Sequence, residues 1–62
     1  MIVSKSMAEK VRVKRGKMAL TKTALCIELG IARQTLTKIE KGNYNAPKRI
    51  YESVVNWLIE DL

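Results

Sequence analysis

Residues 20 to 42, LTKTALCIELGIARQTLTKIEKG, constrain the fold more than any other stretch of this chain. They encode a helix, a tight turn and a second helix in one uninterrupted run. Leu20, Leu25 and Leu29 recur at roughly one-turn spacing, the pattern of a helix with one buried face. Gly30 follows where a helix end needs a residue tolerant of positive φ. After a short turn, Leu36 and Ile39 give the second helix its own inward stripe, and Gly42 ends it. Cys26, small and set among the apolar residues, lets the two helices approach closely.

The rest of the chain must fit around that unit. Sixty-two residues make one small domain, near the lower limit for folding without disulfides or metal. The hydrophobic share is 47%, enough for a core, although the aromatic residues are only one Trp and two Tyr. A single Cys forms no internal disulfide, and with no His the several ligands of a structural zinc site are missing. Neither a paired acidic constellation nor a His is present for general acid–base chemistry, so catalysis is not expected, and no cofactor or small-molecule ligand is implied. The opening Met1-Ile2-Val3 is too short for a signal-peptide core, and no run approaches the roughly 20 apolar residues of a membrane span. A soluble, reduced, cytoplasmic protein is the expectation.

Charge points to a partner. Twelve Lys and Arg against six Asp and Glu give +6, unevenly distributed. Lys10, Arg12, Lys14, Arg15 and Lys17 crowd the first segment, and Lys38, Lys41, Lys48 and Arg49 cluster around the end of the second motif helix. The final Glu60, Asp61 and Leu62 carry no positive charge. Such asymmetry suits a polyanion on one face. The alternative is a lysine-rich surface that merely keeps the chain soluble.

No linker, repeat or low-complexity tract divides the chain, so residues 1–62 read as one all-α domain of about four helices. Ser4 or Ser6 caps a first helix running to about Lys17, with Met7, Val11 and Ala8 inward and Gly16 weakening its end. Met18, Ala19 and Leu20 link it to a second helix, Lys22 to Leu29, capped by Thr21. The third spans Arg33 to Lys41. Residues 42–47, GNYNAP, form a loop by composition, and Asn45 or Ala46 caps a last helix with Pro47 in its first turn. Ile50, Val54, Trp57 and Leu58 then form an inward stripe. Tyr51, Val55 and Ile59 form a second strip beside it, either a dimer surface or the margin of a wide core face.

From Met7 through Gly42 the chain resembles the phage repressor and Cro family of helix-turn-helix proteins (Xre type). Leu20 and Thr21 stand where that family has a Leu and then the cap of its second helix. Leu25, Cys26 and Leu29 match its Leu, its usual Ala and the apolar residue before Gly30, and Ile31 matches the apolar residue of the turn. Leu36, Ile39, Glu40 and Gly42 match its ending. The resemblance implies a lambda-repressor-like domain whose third helix enters the major groove of DNA. It also implies an ion pair between Arg15 and Glu40 joining the first and third helices, for which a guanidinium fork is suited. Three features depart from the family. Ala32 replaces the usual Ser or Thr cap of the recognition helix, Lys22 replaces a common Gln, and one long last helix replaces two short ones.

With Leu36 and Ile39 inward, Arg33, Gln34, Thr37 and Lys38 face outward, and their chemistry suits base edges. Arg bonds guanine O6 and N7, Gln bonds adenine N6 and N7, and Thr offers thymine a methyl and either base a hydroxyl. In the family the first residues of this helix and one a turn later read bases, which maps onto Arg33, Gln34 and Lys38. Expected phosphate contacts are Thr21 and Lys22 at the second helix, Thr35, Lys41 and Asn43 around the third, and Lys48 or Arg49 at the last. The reading is a sequence-specific, double-stranded DNA-binding regulator of bacterial or phage origin. It would act as a homodimer on a palindromic operator. Its rivals are a protein-binding module of the same fold (an antitoxin or antirepressor partner) and an excisionase-like architectural protein.

Overall fold

The computed structural model describes residues 1–60; Asp61 and Leu62, named above with the acidic end of the chain, lie outside them. Helix α1, Lys5–Lys17, starts at Ser4, whose hydroxyl oxygen accepts the Met7 N–H at 3.1 Å. It closes with paired bonds, Ala19 N–H to the Gly16 carbonyl at 3.1 Å and Leu20 N–H to the Arg15 carbonyl at 3.0 Å. This is the Schellman arrangement, which needs a left-handed residue just past the helix. Here that residue is Ala19, at φ +53°, while Gly16 lies inside the final turn.

Helix α2, Lys22–Leu29, is capped by the Thr21 hydroxyl, which accepts the Ala24 N–H at 3.0 Å. It closes the same way, now with Gly30 at φ 66° and ψ 41° as the left-handed residue. Helix α3, Arg33–Lys41, starts from Ala32 without a side-chain cap and ends at Gly42, φ 89° and ψ 172°. That conformation is essentially restricted to glycine. A second constraint acts at the same position, since a Cβ on Gly42 would come within 2.9 Å of the Lys5 Cα. The end of α3 and the start of α1 therefore touch through their backbones.

Two expectations are corrected in the next segment. Residues 42–47 are not loop alone. Tyr44–Asn45 forms strand β2, antiparallel to strand β1, Ile2–Val3, with Ile2 opposite Asn45 and Val3 opposite Tyr44. Asn43, at φ +53°, turns the chain into this pairing, and Val3 becomes fully buried. Nor does Asn45 or Ala46 cap the last helix. Asn45 is held in β2, and buried Ala46 donates its N–H to the Met1 carbonyl at 2.8 Å. Pro47 takes the cap position of α4, Lys48–Ile59, with no side-chain bond to the helix start.

Four helices and this short ribbon enclose a core of Val3, Val11, Leu25, Cys26, Leu36, Ile39, Ala46, Val54 and Trp57. Helices α1 and α2 each pack against α3 and α4, which fixes the α2–α3 unit on a rigid base. The inward stripe of α4 narrows to Val54 and Trp57, with Ile50 and Leu58 half-buried. The strip beside it splits. Tyr51 packs against the core, Val55 is half-buried, and Ile59 is 55% exposed. Among the described residues no helix is long and apolar enough to cross a membrane.

Candidate nucleic-acid interface

The geometry of α3 follows from which of its residues the core takes. Leu36 and Ile39 are fully buried and Glu40 nearly so. Arg33, Gln34, Thr37, Lys38 and Lys41 are exposed, and Thr35 is half-buried at the edge. The helix therefore presents one continuous polar face, with Arg33 and Gln34 at its head. Ala32 offers the first turn no side-chain acceptor, and the first intrahelical bond runs from the Leu36 N–H to the Ala32 carbonyl at 3.1 Å. The N–H groups ahead of Leu36 make this end a donor site for an anion. Thr37 donates its hydroxyl to the Arg33 carbonyl at 3.1 Å, so its polar hydrogen is engaged within the helix.

The far end of this face opens into a concavity of about 470 Å³ lined by Lys5, Lys38, Lys41, Gly42, Asn43 and Tyr44. The Lys38 ammonium lies 5.9 Å from the centroid of the Tyr44 ring, within cation–π range. Lys41 and Asn43 thus share a site with Lys38. Lys48 does not; it lies near Met1 and Tyr51 on another side of α4's start. Arg49 and Lys22 are exposed beside the N-termini of α4 and α2. Thr21 stands at the head of α2, its oxygen engaged in capping.

All four helices begin with a cation, Lys5, Lys22, Arg33 and Lys48, and none has an acid in its first turn. A positive charge at a helix N-terminus opposes the macrodipole, so fold stability does not account for this arrangement. At such an end a cation and the free N–H groups of the first turn can act together on an anion.

The basic cluster of the first segment is not the uniform polyanion-facing surface expected from the charge count. Arg12 donates through Nη1 to the Glu40 carbonyl at the end of α3. Arg15 donates through Nε to Glu40 Oε2 at 2.7 Å and through Nη1 to the Leu20 carbonyl at 3.2 Å. Lys14 is buried, its ammonium donating to the Trp57 carbonyl near the end of α4 and lying 4.6 Å from the Trp57 ring centroid. Cations at helix C-termini are favourable, and these three tie α1 to α3 and α4. Sequence reasoning missed Lys14 and Arg12 in this role. The spacing gave a partial signal, since Lys14 shares a helical face with Val11 and Arg15 while Arg12 lies three residues before Arg15, but the partners of Arg12 and Lys14 lie 28 and 43 positions away. It also missed Lys5, which no local pattern connects to the end of α3.

No family model matches the chain, and no solved structure matches it. The chain is similar to a curated protein of Pyrobaculum aerophilum whose name assigns it, provisionally, to the HTH-type transcriptional regulatory proteins. The two are 37% identical over 54 residues, which take in 87% of this chain and 22% of that protein. The chain thus spans about a fifth of the relative's length, and the similarity covers nearly all of the four-helix unit described above.

Proposed function

We propose that this chain is the DNA-binding unit of a transcriptional regulator and lays α3 in the major groove of a duplex, in the manner of the Cro and repressor proteins. The observation that carries the reading is the division of α3 itself. Leu36 and Ile39 lock one face to the core, and Arg33 and Gln34 project from the head of the other. Rigid presentation of a guanidinium and an amide matches guanine and adenine edges. Thr37, with its hydroxyl turned back to the helix, contributes its methyl. Similarity to an HTH-type regulatory protein and the cations opening each helix support the same conclusion. One such unit reads only a few base pairs, so a two-fold pair on half-sites about one helical turn apart completes the reading. Exposed Ile59, with Val55 beside it, is the surface through which that pair forms.

Selection of bound sites from a random duplex pool tests this directly. The expected result is enrichment of a two-fold symmetric sequence, and Arg33→Ala and Gln34→Ala each relax one position of it at a cost of about 1–3 kcal/mol. An unenriched pool, or variants with the parent's preference, would remove α3 from the groove.

A further inference from the structure

We infer that the concavity at the end of α3 is a cradle for a backbone phosphate of the DNA duplex, built by Lys5, Lys38 and Lys41, and that Lys38 holds phosphate and does not read bases. The inference rests on the DNA-binding reading above and assigns the far end of that interface.

Three observations converge. First, the concavity is lined by three lysines and by Gly42, Asn43 and Tyr44, with no acid among them. Second, its walls are fixed. A Cβ on Gly42 would lie 2.9 Å from the Lys5 Cα and 3.0 Å from its Cγ, so the glycine brings the start of α1 against the end of α3. Lys5 gains nothing electrostatically from opening a helix, yet this contact sets it beside Lys38 and Lys41. Third, the Lys38 ammonium is drawn over the Tyr44 ring, 5.9 Å from its centroid. Tyr44 is itself packed on the core and paired in β2. That contact directs the charge of Lys38, one turn beyond Gln34 on α3, into the concavity and away from the helix head.

Length identifies the occupant as a phosphodiester of the same duplex. From Arg33 to Lys41 the helix rises about 12 Å, eight residues at about 1.5 Å each. The major groove is about 12 Å wide. A helix with its head among the bases therefore carries its tail to the flanking backbone, where a lysine acts as a point charge without base geometry. The two ends of α3 divide the work, the head supplying sequence and the tail supplying affinity.

The test uses the whole chain and a duplex of fixed sequence, titrated over a salt series. Lys5→Gln, Lys38→Gln and Lys41→Gln are each expected to lower the slope of log affinity against log salt by about one unit. Lys17→Gln, at the other end of α1, is expected to leave it unchanged, and Lys5→Arg to restore it. All four positions are exposed, so circular dichroism should superimpose on the parent. In the random-duplex selection, Lys38→Gln is expected to enrich the parent's sequence, whereas Arg33→Ala is not. An unchanged slope for Lys5→Gln, or an altered site preference for Lys38→Gln, overturns the cradle while leaving the major-groove reading intact. Tight saturable binding of inorganic phosphate alone, lost in Lys5→Gln, overturns the phosphodiester assignment in favour of a free anion. A parent that binds no duplex overturns both readings.

Discussion

Replacing Arg15 by Ala should destabilise the fold heavily without touching the exposed face of α3. The Glu40 side chain is 7% exposed, and Arg15, at 24%, donates to it at 2.7 Å. Breaking a buried pair by removing one member costs about 3–5 kcal/mol, because the remaining charge is stranded. An exposed pair contributes under about 1 kcal/mol. Arg15 is one-quarter exposed, so water enters beside Glu40 when the guanidinium leaves, and the cost falls between these limits at about 2–3 kcal/mol. The lost bond to the Leu20 carbonyl is part of that figure. A domain of this length has a total stability of about 3–9 kcal/mol, so the variant loses a large share of it. The melting temperature should drop by about 10–20 °C, followed by far-ultraviolet circular dichroism or Trp57 fluorescence. A double-mutant cycle with Glu40→Gln isolates the pair and should return a coupling above about 1 kcal/mol. A melting temperature within about 3 °C of the parent, on the same scale, or strictly additive single changes, would show that Arg15 and Glu40 act as independent surface charges.

Other substitutions probe separate parts of the construction. Gly42→Ala forces a side chain into a glycine-only conformation against the Lys5 backbone and should cost more than about 1–3 kcal/mol; Gly30→Ala, with open space around it, should cost only about 1–2 kcal/mol. Ala19→Gly should stabilise, by up to about 1 kcal/mol in urea titration, because the left-handed strain of Ala19 exceeds the added freedom of the unfolded glycine. Lys14→Ala should cost about 1–3 kcal/mol and expose Trp57, seen as a red-shifted emission, while Lys14→Met keeps the stem that covers the ring and shifts the emission less. Ile59→Lys, at a position 55% exposed, should leave the chain folded but monomeric in sedimentation and weaken duplex binding; an unchanged sedimentation profile would assign dimerisation to another surface.

The parts of this fold that local sequence determines were legible. Helices α2 and α3 run over the residues that their apolar spacing and terminal glycines predict, because these signals act within one turn: periodicity and a closing glycine in both, with a capping hydroxyl and a left-handed glycine in α2 alone. The start of α1 follows from the same chemistry, which left Ser4 and Ser6 as caps, and Ser4 takes the place. What escaped depends on distant partners. Two-residue strands are shorter than any periodic window, and Val3 is buried only because Asn43 turns Tyr44 alongside it. Ala19 gave no sign of its left-handed conformation, since the expected residue there is glycine and a glycine, Gly16, stood three positions earlier. Pro47 was displaced from helix to cap by the demands of the same ribbon on Asn45 and Ala46. For the candidate site, periodicity separated the buried and exposed faces of α3. It could not reveal that α1 delivers Lys5 to one end of that helix, or that Tyr44 bends Lys38 toward it.

The +6 charge thus divides into two populations with opposite relations to the helices. Arg12, Lys14 and Arg15 sit within reach of helix C-terminal carbonyls or of Glu40, where a cation favours the fold and salt screens it little because the contacts are partly buried. Lys5, Lys22, Arg33 and Lys48 open helices, where a cation opposes the fold. An anion bound at such a helix start would reverse the sign of that contribution, which is what the proposed DNA contacts would supply at Lys5 and Arg33. Charge count alone cannot distinguish these populations, since both are lysine and arginine on amphipathic helices. Their positions relative to the helix ends do distinguish them, and they separate the cations that build the domain from those that the proposed DNA contact would use.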